Sequence, residues 1–350
     1  MNANLLIYKY LVVIALLLML SWSCEENFDV PIIPGNRPVI VVEGHLEAYS
    51  TNPSDLGVQP RPAYVILTKS VPFGQAFDAD DFEELFVRDA VVNITTSRNR
   101  SIPLSELCLN SLPPSEREFL INATGLNSAD FAQIGIDFRK TDFCVYIDLS
   151  AGSFEIGDTF QLNIQADDIE LTATTTTPIF YPIENIDFRV PPGDTSFFSG
   201  TTLRQMLIQT AKPDSLNNQD IYFRYFTQRN DEPLYKGNAP LAGFRSVFGG
   251  KVLGSGTESV ALLRGEARDS TFNPGGNNFG NFRVNDRYLV KWMNIDEAHY
   301  NYWNSTEFNA LNQGFFSSYT LPQFNIEGEG GIGIFGAYTV GFYGGRVPKE

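Results

Sequence analysis

The sequence has 350 residues, and its 41 acidic residues exceed its 25 lysines and arginines, which gives a formal net charge of −16 at neutral pH. So acidic a surface excludes nucleic acid and anionic lipid headgroups as electrostatic partners. The chain is longer than one hydrophobic core usually serves, which predicts two domains.

The chain begins with a segment typical of a secretion signal. Lys9 is followed by the apolar run Leu11–Leu20 and then by Ser21-Trp22-Ser23-Cys24. An α-helix needs roughly 20 apolar residues to cross a bilayer, so this run is too short to serve as an anchor. We therefore expect residues 1–23 to be a signal peptide that is removed.

Cys24 resembles the cysteine of the bacterial lipobox, where the thiol receives acyl chains such as palmitate. Several acyl chains on one residue are enough for stable attachment to a bilayer. The alternative is an ordinary signal peptide that ends near a cysteine, which would leave a soluble periplasmic protein.

Residues 24–38 are predicted to form an extended tether, because they are rich in proline and acidic residues and contain few apolar side chains to bury. The acidic residues Glu25, Glu26 and Asp29 resemble the signal that sends Bacteroidetes lipoproteins to the cell surface. The alternative is plain tether acidity, with the protein on the periplasmic face of the outer membrane.

Residues 39–178 are predicted to form an immunoglobulin-like β-sandwich. Apolar and polar side chains alternate in Thr159–Gln165, which is typical of a half-buried strand. Ser115–Ile136 is less regular and can hold a short helix. Similar strand-like runs, bounded by turn residues, occur at Val39–Leu46, Tyr64–Lys69, Val91–Ser97, Phe143–Leu149 and Ile169–Thr175.

Residues 179–350 are predicted to form a second β-rich, sandwich-like domain. The predicted fold class is therefore mainly all-β. Proline at position 178 marks the boundary, because proline is not found in central strands. One amphipathic helix is predicted over residues 296–311, with Asn294 as its cap and Glu297 completing a capping box.

Cys108 and Cys144 are the two cysteines that remain beyond Cys24. An exported protein reaches an oxidising compartment, which favours a disulfide between them. The alternative is a pair of buried free thiols that act as small hydrophobic residues.

The sequence contains no recognisable catalytic constellation. Its two histidines, His45 and His299, lie in different predicted domains, and no nucleophile motif accompanies them. We predict that the protein is not an enzyme and has no cofactor, no metal site and no catalytic residues.

Three further motifs have simpler explanations. The formal dinucleotide fingerprint at residues 328–333 precedes a strand-like segment rather than a helix, so it lacks the required phosphate site. The acidic residues 78–84 lack the glycine turn of a calcium loop. Ser215 and Ser270 lie in short Asp-Ser motifs similar to Bacteroidetes O-glycosylation sites, although plain loop chemistry also explains them.

Three segments together resemble a family of Bacteroidetes lipoproteins that carry a domain of unknown function. They are Cys24-Glu25-Glu26 with Pro38–Gly44, then Ile156–Leu162 with Ala173–Thr175, and finally Tyr302-Trp303 with Asn325–Gly328 and Gly331–Tyr338. Members of this family commonly accompany TonB-dependent outer-membrane receptors. The resemblance implies class and location but no catalytic residue.

The expected function is that of an outer-membrane, surface-exposed lipoprotein that acts as an accessory or ligand-binding partner of a TonB-dependent receptor in nutrient uptake. One alternative is a structural subunit of an envelope assembly or secretion complex. A second alternative is a hydrolase with an unrecognised site. A concave pocket with convergent polar groups would favour ligand binding.

Overall fold

The structure is a computed structural model that describes residues 38–71, 79–124, 141–150, 154–192, 202–210, 221–238, 245–249, 259–265, 280–311 and 321–349. The strands in the first half are β1 (Ile40–Tyr49), β2 (Tyr64–Lys69), β3 (Val91–Thr96), β4 (Ser101–Cys108), β5 (Cys144–Ile147), β6 (Thr159–Ala166) and β7 (Ile169–Thr176). Those in the second half are β8 (Ile183–Arg189), β9 (Leu203–Thr210), β10 (Tyr222–Arg229), β11 (Tyr235–Lys236), β12 (Val247–Gly249), β13 (Val260–Leu262), β14 (Phe282–Arg283), β15 (Arg287–Ile295), β16 (Ile326–Glu327) and β17 (Gly331–Arg346).

The described part of the chain contains two α-helices, α1 (Pro114–Thr124) and α2 (Glu297–Leu311). Short 3₁₀ helices lie at Pro53–Leu56, Ala79–Leu85 and Leu109–Ser111. Within the described residues, none of the helices has the length and apolar character needed to span a bilayer.

One long sheet organises the fold. Its strand order is β11-β10-β15-β17-β1-β2-β5-β4-β3-β6-β7-β16, and β12 also pairs with β10. The sheet folds back on itself at β4. The first residues of β4 pair with β3, and its last residues pair with β5. As a result β3, β6 and β7 pack against β1, β2 and β17 and close a first sandwich around Leu46, Leu162 and Phe335.

A second sandwich forms at the other end of the long sheet. The smaller sheet has the order β13-β9-β14, with β8 on the other side of β9. Its inner face packs against β10 and β15, and Met206, Tyr225 and Trp292 belong to this core. The predicted all-β, sandwich-like fold class is confirmed.

Strands β1 and β17 join the two halves of the chain. They pair in parallel along ten residues, from Ile40 opposite Gly331 to Tyr49 opposite Val340. Pro38–Glu350 forms one compact unit. The predicted halves 39–178 and 179–350 thus share a sheet, and their independent folding stays a prediction.

Helix α2 covers the face of the long sheet opposite the two sandwich cores. Tyr300 and Trp303 pack there against Met293, Tyr338 and Val340. The helix predicted over residues 296–311 is therefore present, but its predicted cap is wrong. Asp296 caps α2 by accepting a hydrogen bond from the backbone N–H of His299 (2.8 Å), whereas Asn294 lies in β15.

Candidate functional site

Strand β1 directs polar side chains beneath α2. Its residues alternate between faces, so that Val42 and Leu46 enter the first sandwich core. Glu43, His45 and Glu47 lie on the opposite face. We use the name polar cluster for the group formed there by Glu43, His45, Glu47, Arg224, Lys291, Asp296, His299, Glu307 and Tyr338.

Both histidines belong to the polar cluster. The centroids of the His45 and His299 rings are 6.4 Å apart. The structure therefore brings together two histidines that belong to different predicted domains, because the pairing of β1 with β17 places β1 under α2. No sequence pattern indicates this approach, since 253 residues separate the two positions.

His45 connects a carboxylate to a phenol. Its Nε2 lies 3.0 Å from Glu43 Oε1, and its Nδ1 lies 2.5 Å from the hydroxyl of Tyr338. Burial lowers the pKa of His45, and the hydrogen bond to Glu43 opposes this only in part. Burial also raises the pKa of Tyr338 well above its ordinary value, so its hydroxyl stays protonated.

His299 is held by the cap of its own helix. Asp296 Oδ1 lies 2.9 Å from His299 Nδ1, and Asp296 Oδ2 accepts a hydrogen bond of 3.0 Å from Thr175. Although burial opposes ionisation, His299 and these hydrogen bonds lower the pKa of Asp296. His299 Nε2 is buried and has no hydrogen-bond partner among the described residues.

Glu47 and Lys291 form a fully buried ion pair. Arg61 lies 3.9 Å from Glu47, and the Tyr49 hydroxyl donates a hydrogen bond of 2.8 Å to the same carboxylate. Burial, together with the charge of Arg61, lowers the pKa of Lys291 to about 8 despite the opposing effect of Glu47. The pair joins β1 to β15 across the intervening β17.

A second buried ion pair holds α2 directly. Glu307 of α2 lies 3.6 Å from Arg224 of β10 and accepts hydrogen bonds from the backbone N–H and hydroxyl of Ser246. The Arg224 guanidinium stacks 3.8 Å from the centre of the Trp303 ring. These contacts fix α2 to the sheet through charge as well as apolar packing.

The rings of the polar cluster are covered. His299 is fully buried, and Tyr338 and His45 are nearly so. Glu43 reaches solvent, since its side chain is 41% exposed.

An open cleft of about 380 Å³ lies beside the start of α2. Its lining includes the apolar and aromatic residues Ile179, Tyr181 and Tyr222, and the polar residues Asn294, Asp296 and Glu297. Its volume falls in the range of small-ligand sites, roughly 300–1,000 Å³. Asp296 belongs to both the cleft and the polar cluster.

Cys108 and Cys144 are joined by a disulfide between directly opposed residues of β4 and β5. Glu106 lies close enough to both sulfurs for the three side chains to share a metal ion. A metal requires thiolates, which these sulfurs do not offer while they are bonded to each other.

Several predicted site residues lie outside the described residues. They are Cys24, Glu25, Glu26, Asp29, Ser215 and Ser270. Residues 328–333 are described, and they lead into β17. Gly333 adopts a φ of 123°, and a Cβ there would lie 2.0 Å from the carbonyl oxygen of Val42, so this glycine permits the close approach of β1.

The two sandwiches and the covering helix define a mainly-β protein with an open cleft beside α2. Residues 25–342 match the family described as a domain of unknown function, DUF4249, and the chain belongs to this family. No curated protein matches the chain.

Proposed function

We propose that this protein is a Bacteroidetes lipoprotein of the outer membrane that is anchored at Cys24 and faces outward. In this role it captures a ligand and works with a TonB-dependent receptor in nutrient uptake. The anchor is supported by the signal-like residues 1–23, and the outward orientation by Glu25, Glu26 and Asp29.

The open cleft beside α2 is the observation that carries ligand capture. Its lining combines apolar and polar groups, which is the usual make-up of a binding pocket. Asp296 of the polar cluster lines this cleft, whereas the rings of His45, His299 and Tyr338 are buried. The burial of these rings supports binding rather than catalysis, and the cleft favours capture over a purely structural role in an envelope complex.

The anchor is tested by comparing the wild-type protein with Cys24→Ala in cells fed an alkyne-labelled palmitate. We expect label on the wild-type protein and none on the variant, which should leave the membrane fraction. Cys108→Ala with Cys144→Ala is the matched control, because it removes the other cysteines but should keep the label. An unlabelled wild-type protein would contradict the anchor.

The receptor partnership is tested by extracting the membranes with a mild detergent and purifying the tagged lipoprotein. We expect a β-barrel receptor of the TonB-dependent class to copurify with it in a near-stoichiometric amount. Purification of the lipoprotein without such a receptor, under conditions that keep other outer-membrane complexes intact, would contradict the partnership.

A further inference from the structure

The hydrogen bonds of His45 are satisfied only while its ring is neutral. The hydrogen bond with His45 helps to hold the pKa of Glu43 below its ordinary value, so Glu43 is a carboxylate that can only accept, and Nε2 of His45 carries the proton between them. Nδ1 then has no proton and accepts a hydrogen bond from the hydroxyl of Tyr338. A second proton on His45 would bring two donors face to face and break this contact.

The surroundings of His45 also oppose a positive charge on its ring. The titratable and charged groups that face it from the elements packed around it are Glu43 and Glu47 of β1, Arg61 of the loop before β2, Tyr64 of β2, Arg224 of β10, Lys291 of β15, Tyr338 of β17, and Asp296, His299 and Glu307 of α2. Burial opposes the charged ring most strongly, Glu43 favours it, and positive charges on His299 and Arg224 oppose it. The net result is a lowered pKa for His45.

Helix α2 is the side of this contact that can move. Strand β1 pairs with β17 and with β2, and its other face lies in the first sandwich core. Helix α2 instead meets His45 through side chains, since the rings of His299 and Trp303 each lie 6.4 Å from the His45 ring between centroids. Both sandwich cores lie on the opposite face of the sheet. The helix can therefore leave the sheet without opening either core.

Separation of α2 from the sheet would give the His45 ring access to water. A histidine in water has a pKa of about 6.5. Because the pKa of His45 is lowered beneath the helix, the state with the exposed ring binds the second proton more readily. That state therefore becomes more populated as the pH falls below about 6.5.

We propose that α2 is a pH-sensitive cover of the polar cluster, released from the sheet when acidification protonates His45 while both sandwiches stay folded. The ion pair of Glu307 with Arg224 holds the closed state at neutral pH. Asp296 and Glu297 line the cleft beside α2, so release of the helix also removes part of the cleft lining. This inference concerns the movement of α2 and goes beyond the proposed function.

The test is hydrogen–deuterium exchange of the full lipoprotein in detergent micelles at pH 7.5, 6.5 and 5.5, read by mass spectrometry and corrected for the intrinsic exchange rate at each pH. We expect peptides from α2 to lose protection several-fold between pH 7.5 and 5.5. The loss should not exceed about tenfold, because pH 5.5 is about one unit below the ordinary pKa of histidine. Peptides from β1 and β6 should keep their protection.

His45→Gln is the matched variant, because a glutamine amide can donate to Glu43 and accept from Tyr338 but takes up no proton in this pH range. We expect its α2 to be equally protected at pH 7.5 and 5.5. His299→Gln is the control for the other of the two histidines in the chain, and it should retain the pH dependence.

Unchanged protection of α2 in the wild-type protein would overturn the proposal. So would an equal loss of protection in His45→Gln, or an equal loss in α2, β1 and β6, which would be global unfolding. If His45→Gln is unfolded at pH 7.5 by circular dichroism, the wild-type comparison of α2 with β1 and β6 still tests local release. A pH dependence retained in His299→Gln then assigns the proton to His45, and one that disappears there contradicts that assignment.

Discussion

The imidazole of His299 lies directly on the backbone of Gly336. A Cβ at position 336 would lie 1.0 Å from Cε1 of His299, so the helix can sit at its observed height only because β17 has no side chain there. The same glycine lies opposite His45 in the β1–β17 pair. The two histidines therefore approach each other at Gly336, where β17 carries no side chain.

Gly336→Ala should destabilise the protein by about 3 kcal/mol, because overpacking must displace His299 and with it α2. Gly249→Ala is the matched control. A Cβ at Gly249 meets no atom closer than 3.9 Å, so we expect a change of less than about 0.5 kcal/mol. Urea unfolding measures both, and equal effects of the two substitutions would contradict the packing of His299 on Gly336.

The lowered pKa of His45 makes stability depend on pH. The unfolded chain takes up a proton on this residue near pH 6.5, before the folded protein does, so stability falls as pH decreases from about 6.5 to the folded pKa. Glu43, Glu47 and Asp296 also have lowered pKa values, so stability continues to fall below about pH 4.5.

His45→Gln should flatten the fall in stability as the pH decreases below about 6.5, because it removes the group whose pKa is lowered on folding. Urea unfolding midpoints at several pH values test this. Below pH 4.5 both profiles should still fall, because the variant keeps Glu47 and Asp296, whose lowered pKa values do not depend on His45. Parallel profiles from pH 7 to 5 would show that His45 does not carry the dependence.

At the scale of the element, buried ion pairs join neighbouring elements. Glu307 of α2 contacts Arg224 of β10, and Glu47 of β1 contacts Lys291 of β15. Removing one partner of a buried ion pair leaves the other without compensation, whereas replacing both with apolar residues is often tolerated. The stability of the contact between β1 and β15 should follow this asymmetry.

Glu47→Leu should cost about 3 kcal/mol, and adding Lys291→Met should recover most of that loss. The exposed pair of Arg98 and Glu155 is the control, since Glu155→Gln should leave the unfolding midpoint nearly unchanged. Thermal unfolding measures all three variants. A double variant less stable than Glu47→Leu would contradict the account of this pair.

Local patterns predicted most strands in the first half of the chain but not their partners. The alternation in Thr159–Gln165 matches β6, and helix α2 lies where its apolar face predicts it. Strand β4 was not predicted because Pro103 reads as a strand breaker. It is tolerated because β5 pairs only with the later residues of β4, which leaves Pro103 with one neighbouring strand.

The polar cluster was not predictable, for a related reason. Glu43, His45 and Glu47 alternate with apolar residues in β1, which is typical of a strand with one face in water. The pairing of β1 with β17 instead places that face under α2. Contacts between residues so far apart in the chain leave no local signal.

At the scale of the whole molecule, the disulfide closes a loop of 36 residues between β4 and β5. In the chain-entropy account such a loop adds roughly 3–4 kcal/mol. Reduction, or Cys108→Ser with Cys144→Ser, should lower the free energy of unfolding by about this amount while Cys24 is kept. Identical unfolding curves with and without reductant would contradict a formed disulfide.

The central claim of the proposed function is that the anchored protein lies on the outer face of the outer membrane. The most direct test is protease shaving of intact cells, with mass-spectrometric detection of peptides from Pro38–Glu350 and comparison with lysed cells. We predict loss of the protein from intact cells while periplasmic markers survive. Full protection in intact cells, with digestion only after lysis, would place the protein on the periplasmic side and contradict its role as an outward-facing capture protein.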